Sequence, residues 1–170
     1  MKKTILFFCF ISLVFTSSVV ASNTKPKPIP VLDTIIGYFQ FEQLLTEPYN
    51  EWYEPEYNAY VADTATLNLL ESEKLKTITI TVVIGTWCGD SKRETPRFVK
   101  IMEYLNFAQE NIVAIGVNRQ KKAPGTEVEE LNIEYVPTFI FFRDNQEIGR
   151  IIETPKESLE KDMLKIISGL

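Results

Sequence analysis

The stretch TITITVVIGTWCGDSK, residues 77–92, decides how this chain folds. Its first part, Thr77 to Gly85, is β-branched and largely apolar, the composition of a strand covered on both faces as in a parallel sheet. Trp87 to Gly89 closes that strand. From Ser91 to Gln109 apolar residues return at helical spacing, with Phe98, Ile101, Met102 and Leu105 on one side. Cys88 therefore stands where a buried strand hands over to a helix. A thiol at a helix N-terminus lies beside unpaired N–H groups and the positive end of the helix dipole, and both favour the nucleophilic thiolate. Gly89 permits close backbone approach, and Ser91 brings a hydroxyl donor that steadies a sulfur anion. Asp90 suits a helix start, although its carboxylate opposes charge on the neighbouring sulfur. Trp87 reads equally as a packed aromatic or a substrate shelf. Lys92 reads as a solvated charge, and Pro96 as a helix kink without chemistry.

Working outward, Ile112 to Val117 is a second short apolar strand. A polar loop, Lys121 to Gly125, and a helical turn, Val128 to Leu131, follow it. Thr138 to Arg143 and Glu147 to Glu153 read as strands joined by the Asp144-Asn145 turn. Lys156 to Ser168 is an amphipathic helix with Leu159, Met163, Leu164 and Ile167 inward. From Thr77 the order is β-α-β-α-β-β-α. The strand–helix–strand start implies a crossover and parallel pairing, and the late tight turn an antiparallel hairpin at the sheet edge. Upstream, Val31 to Leu45 holds a short strand and a helical turn or two, and Thr64 to Leu75 reads as one helix carrying Leu67, Leu70 and Leu75. Between them YNEWYEPEYNAY, residues 49–60, interleaves Tyr49, Trp52, Tyr53, Tyr57 and Tyr60 with acids. Core packing of an irregular segment is the preferred reading there, over an aromatic lip for a substrate.

The 170 residues include no histidine, two cysteines and a net charge of −5. The acidic balance argues against nucleic-acid binding, which needs a basic stripe. The missing histidine removes Ser-His-Asp and Cys-His catalysis in their usual forms, together with the commonest metal ligand. No metal site and no cofactor are expected. Met1-Lys2-Lys3, the apolar run Ile5 to Val20 and the small residues Val19-Val20-Ala21 form a secretory signal peptide over residues 1–21. The apolar run is short for a membrane span, so no stable span is expected once the signal is cleaved. Cys9 lies inside that run. Residues 22–30, containing NTKPKPIP, read as a Pro-rich tether, and residues 31–170 as one domain. The expected location is periplasmic or secreted, where a structural disulfide is allowed. Yet the exported part holds Cys88 alone, which points to a reactive thiol or an intermolecular link; a buried inert thiol is the alternative.

Three segments carry a resemblance. Thr86-Trp87-Cys88-Gly89-Asp90-Ser91-Lys92, with Pro96 eight residues after the cysteine, resembles the active-site segment of the thioredoxin-like superfamily, W-C-x-x-C-K with a proline further along its helix. Val136-Pro137-Thr138 before an apolar strand is similar to that family's cis-proline loop, which packs against the active-site cysteine. The Asp144-Asn145 turn leading to Gly149-Arg150-Ile151-Ile152 is similar to its terminal hairpin. The resemblance implies an α/β thioredoxin fold, a central mixed β-sheet flanked by helices, here with an N-terminal extension. It also implies Cys88 and Ser91 as the catalytic pair of positions, with Trp87, Gly89, Asp90, Val136, Pro137 and Thr138 around the substrate. Two departures stand out: the family's second cysteine is Ser91, and its buried acid, six positions before the first cysteine, falls at Val82.

One thiolate can still attack a disulfide and form a mixed disulfide, which an external or substrate thiol must then resolve. The expected activity is a monothiol thiol–disulfide exchange of this C-x-x-S kind, acting on protein disulfides or small-molecule thiols. Val136 would offer backbone hydrogen bonds to an extended substrate. The alternative is a redox-inactive binding or chaperone-like module on the same fold. The chain is expected as a monomer or a Cys88-linked dimer.

Overall fold

The computed structural model describes residues 34–70 and 72–169. The leader and tether read over 1–21 and 22–30, with Cys9, lie outside the described residues. In chain order the elements are β1 (Gly37–Phe39), α1 (Asn50–Ala59), α2 (Thr64–Leu67), α3 (Ser72–Leu75), β2 (Ile78–Ile84), α4 (Gly89–Tyr104), β3 (Ile112–Gly116), β4 (Thr138–Arg143), β5 (Gln146–Ile152) and α5 (Leu159–Ser168). Short 3-10 turns cover Phe41–Leu45, Gln109–Asn111 and Glu127–Glu129.

Five strands form one mixed sheet in the order β1-β3-β2-β4-β5. The β-branched segment takes the centre as β2, parallel to β3 and antiparallel to β4. β1 joins the β3 edge antiparallel, and β4 and β5 form the closing hairpin. Arg143 pairs with Gln146, which leaves Asp144 and Asn145 as a two-residue loop. Both have positive φ, 52° and 61°, the backbone that matches strand twist and that Asp and Asn tolerate.

Alternation along β2 sorts its side chains onto two faces. Ile78, Ile80, Val82 and Ile84 enter the larger core, with Phe98, Ile101 and Met102 of α4, Phe139 and Phe141 of β4, and Leu159, Met163 and Ile167 of α5. The Phe98 and Phe139 rings stack 4.7 Å apart there. Val83 enters a smaller core with Ile115, Val117, Ala123, Val128 and Val136. That face is covered by the connection between β3 and β4, whose one helical feature is the Glu127–Glu129 turn. The cover is partial, because Thr79 on the same strand is exposed.

Four local expectations change, the first being that the helical run read from Ser91 to Gln109 is a helix over Gly89–Tyr104, with Gln109 in a separate turn. Residues 49–60 are not irregular: Asn50–Ala59 is helix α1, laid against α4. Tyr53 is buried in the larger core, and burial pushes its hydroxyl well above the usual tyrosine range. Glu56 pairs with Arg97, and Lys100 Nζ donates to the Tyr57 and Tyr60 carbonyls at 2.7 and 2.8 Å. Those carbonyls end α1 and have no N–H donors of their own within the helix, so a cation there also answers the helix dipole. Residues 64–75 are not one helix. They break into α2 and α3, with Leu67 and Leu70 buried and Leu69 left exposed. The last helix begins at Leu159 rather than Lys156, because Ser158 caps it, its Oγ accepting from the Lys161 N–H at 3.2 Å. Asp162 accepts from the Lys156 and Glu157 N–H groups, which fixes the loop just before.

Candidate functional site

Cys88 is the N-cap residue of α4, extended in backbone and half-buried in exposure. It directly follows the turn at the end of the central strand, where Cys88 N–H donates to the Gly85 carbonyl at 2.8 Å. One helical turn on, Lys92 N–H donates to the Cys88 carbonyl at 3.0 Å. The sulfur therefore stands at a helix entrance whose first N–H groups are unspent within the helix. On its other side Sγ lies 3.2 Å from the Val136 carbonyl, to which the thiol donates.

That carbonyl belongs to a tightly held loop. The Val136–Pro137 peptide is cis. Pro137 O accepts from the Glu153 N–H at 2.7 Å, and Thr138 Oγ1 donates to the Tyr135 carbonyl, also at 2.7 Å. Val136, Pro137 and Thr138 are all buried. This wall presents the Val136 carbonyl to the thiol, Cys88 packs against the smaller apolar core that includes Val136, and Thr138 spends its hydroxyl on the loop itself. Tyr135 is the neighbouring side chain that faces solvent, 52% exposed. Composition gave no reason to single it out, since a tyrosine beside a turn reads either way.

Trp87 resolves as a held wall. Its Nε1 donates to the Val117 carbonyl at 2.9 Å, and the Arg119 guanidinium lies 5.1 Å from the ring centroid. The indole passes so close over the strand end that a Cβ on Gly85 would lie 2.6 Å from Cε2 of the ring. Gly85 is thus required by packing. Gly89 is not: it is exposed, and a Cβ there would meet nothing within 4 Å.

Ser91 is 1% exposed, and its Oγ accepts from the Gly85 N–H at 3.1 Å. The bond the structure gives this hydroxyl runs to the end of β2, not to the sulfur. Asp90 is engaged with Arg93 at 2.6 Å, and Arg93 also bonds Glu94 at 2.7 Å. The two carboxylates together raise the Arg93 guanidinium above its usual range, the hydrogen bond it donates to Glu94 contributing most. Glu94 is 3% exposed and reaches Arg97 at 3.6 Å as well. This buried acid escaped the sequence reading because Arg93, Glu94 and Arg97 look like an ordinary solvated helix face. Val82, the position of the missing acid, is fully buried in the larger core. Lys92 is not simply solvated: its Nζ lies 5.9 Å from the centroid of the Trp52 ring on α1.

Among the described residues no group of three or more His, Cys, Asp or Glu is arranged to hold a metal, and no helix is long and apolar enough to cross a membrane. The arrangement offers a half-exposed sulfur at a helix entrance, with the Val136 carbonyl opposite. Those are the elements of nucleophilic thiol chemistry.

A family model described as Thioredoxin matches residues 59–165. Similar proteins include "Thioredoxin Asp f 29" of Aspergillus fumigatus, 28% identical over 76 residues, 45% of this chain and 66% of that one. "Thioredoxin H9" of Arabidopsis thaliana is 26% identical over 109 residues, 60% of this chain and 69% of that one. The chain thus spans about two thirds of the length of these relatives. Among solved structures, mitochondrial thioredoxin 3 of Saccharomyces cerevisiae in its oxidized form is 21% identical, covering 68% of this chain and 99% of that one with a TM-score of 0.38. With its strand order, its cysteine at the entrance of α4 and the family match over most of the described residues, the chain belongs to the thioredoxin family.

Proposed function

We propose that this protein is a monothiol thiol–disulfide oxidoreductase whose chemistry runs through Cys88. Family membership supports thiol–disulfide exchange in general, with disulfides or thiols as substrates. The observation that carries the finer reading is the sulfur itself: half-exposed at the entrance of α4, 3.2 Å from the Val136 carbonyl, with a serine three residues on where a resolving thiol would stand. The Cys88 thiolate attacks one sulfur of a disulfide, forms a mixed disulfide and releases the other half as a thiolate, which takes a proton from solvent. A second thiolate, from outside or from the substrate, then attacks the mixed disulfide and returns Cys88 to the thiolate form. While Cys88 is a thiol it occupies the Val136 carbonyl. Once bonded to substrate sulfur it has no hydrogen to donate, and that carbonyl becomes available to a substrate N–H. The secretory leader read over residues 1–21 supports action outside the cytoplasm, in the periplasm or beyond.

The test is mass spectrometry under non-reducing conditions after incubating the purified protein with 2-hydroxyethyl disulfide at neutral pH. A single adduct on Cys88 that a second thiol removes is expected, and none with Cys88→Ser. If the folded protein stays unmodified while the denatured protein reacts, the redox reading fails, and a binding module on this fold becomes the better account.

A further inference from the structure

Two cations lie on or against the segment that carries Cys88, and neither has a carboxylate partner among the described residues. Arg119 lies with its guanidinium 5.1 Å from the centroid of Trp87, the residue immediately before Cys88. Lys92 lies one turn along α4 from Cys88 with its ammonium 5.9 Å from the centroid of Trp52. Each is held over an indole, which restrains it without neutralising it. The one carboxylate in the active-site segment, Asp90, is engaged by Arg93. The placement follows from the fold. Ile84 of β2 pairs with Gly116 of parallel β3, so extending the register by three residues sets Trp87 beside Arg119 at the same end of the sheet. α1 lies against α4 and brings Trp52 to the first turn beyond the cysteine.

We propose that Lys92 and Arg119 select anionic substrates, so that Cys88 exchanges preferentially with small disulfides of net negative charge, glutathione disulfide being the natural probe. This rests on Cys88 being the reacting thiol. The step is balanced as above: the Cys88 thiolate bonds one glutathionyl sulfur, the other leaves as glutathione thiolate, and added thiol reverses the adduct. A carboxylate within several ångströms of each cation, in largely aqueous surroundings, gains enough to speed capture about threefold per cation and about tenfold for both. The acids that oppose this are Glu134, exposed on the loop before Val136, and the net charge of −5 on the whole chain. Their opposition makes the charge ratio, not an absolute rate, the informative quantity.

The experiment measures second-order rates of adduct formation on the purified protein with glutathione disulfide, neutral 2-hydroxyethyl disulfide and cationic cystamine. It compares wild type, Lys92→Gln, Arg119→Gln and the double variant, at low salt and at high salt. The expected result is a glutathione disulfide to 2-hydroxyethyl disulfide rate ratio that falls about threefold in each single variant and about tenfold in the double variant, with the ratio to cystamine falling further because the same charges repel that probe. High salt should bring the wild-type ratio toward that of the double variant. Arg119→Lys, which keeps charge over Trp87, should retain most of the preference; this separates charge from any disturbance of the indole. A ratio unchanged in the double variant and insensitive to salt, with all three probes still reacting, overturns the selection and leaves the monothiol reading standing. Failure of all three probes with folded wild type overturns the monothiol reading and this inference together.

Discussion

Removing one oxygen atom at residue 91 asks what that side chain is for. Ser91→Ala deletes the acceptor that the buried Gly85 N–H uses at 3.1 Å. A buried donor left without a partner costs about 1–3 kcal/mol. Alanine returns a few tenths of a kcal/mol through its better helix propensity in the first turn of α4. The net loss is therefore about 1–2 kcal/mol, or a fall in Tm of roughly 3–8 °C for a domain of this length. Thermal and urea unfolding of both proteins read this directly, and the urea slope should not change, because the same surface is exposed on unfolding. The same samples are then treated with iodoacetamide at neutral pH. Since the hydroxyl bonds the strand end, alkylation of Cys88 should proceed at nearly the wild-type rate. A variant as stable as wild type but alkylated several-fold more slowly would refute the reasoning: the hydroxyl would then serve the sulfur and not the strand.

Thr95 is fully buried in α4 and its Oγ1 has no hydrogen-bond partner; Thr95→Val keeps the shape and removes the unpaired hydroxyl, so urea unfolding should show unchanged or higher stability by up to about 1 kcal/mol. Gly89→Ala should leave Tm within about 2 °C, since the new methyl meets nothing within 4 Å, while slowing adduct formation with bulky disulfides more than with small ones. A Tm loss as large as that of a core variant would show that the glycine is needed by the fold. Burial alone would raise the Glu160 carboxyl, but hydrogen bonds from the Tyr60 hydroxyl at 2.5 Å and the Asp63 N–H at 3.0 Å outweigh it and hold the group below the usual glutamate range. A carboxyl depressed in the folded state stabilises the protein above its unfolded pKa, and that contribution is lost as pH falls through the folded value. Tyr60→Phe should therefore cost about 1–3 kcal/mol at neutral pH and progressively less in acid. A penalty that stays constant down to the most acidic pH at which the fold survives would count against the Glu160 account.

Legibility followed the range over which each signal is local. The β-branched run of 77–85, the Trp87-Cys88 junction and the Asp144-Asn145 turn are decided by neighbours in sequence, and the structure places all three as the sequence implied. Residues 49–60 were harder, because Tyr and Trp fall on helix α1 with acids between them and Pro55 inside, a pattern without a clean apolar stripe; the helix is secured by Arg97 and Lys100, some forty residues away in sequence. The break between α2 and α3 likewise follows long-range burial of Leu67 and Leu70, where local spacing favoured continuity. At the site, the residues adjacent to Cys88 could be named from sequence, but their partners could not. Arg119 becomes visible only once β2 and β3 are known to be parallel with Ile84 opposite Gly116. Glu94 looks solvent-facing until α1 supplies Glu56, the second partner of Arg97.

The serine at 91 and the valine at 82 have a common physical reading. Val82 pairs with Ala114 on one side and Phe139 on the other and is fully buried. A carboxylate there would lose its hydration with no cation in the surrounding apolar cluster, a cost tolerated only where the proton it holds is used. A buried thiol at 91 would supply that use by needing to give up its proton. Serine instead satisfies the buried position with a hydrogen bond to Gly85 and asks for no base. The interior beneath Cys88 is thereby electrically neutral at both positions, and on the proposed monothiol reading a mixed disulfide would have no internal thiol to open it. In the proposed exchange its lifetime would be set by thiols arriving from solvent, so control of the reaction would lie at the exposed side of the sulfur. On that reading, charge on the exposed side, where Lys92 and Arg119 stand without carboxylate partners among the described residues, would matter more than in a site that resolves its own intermediate.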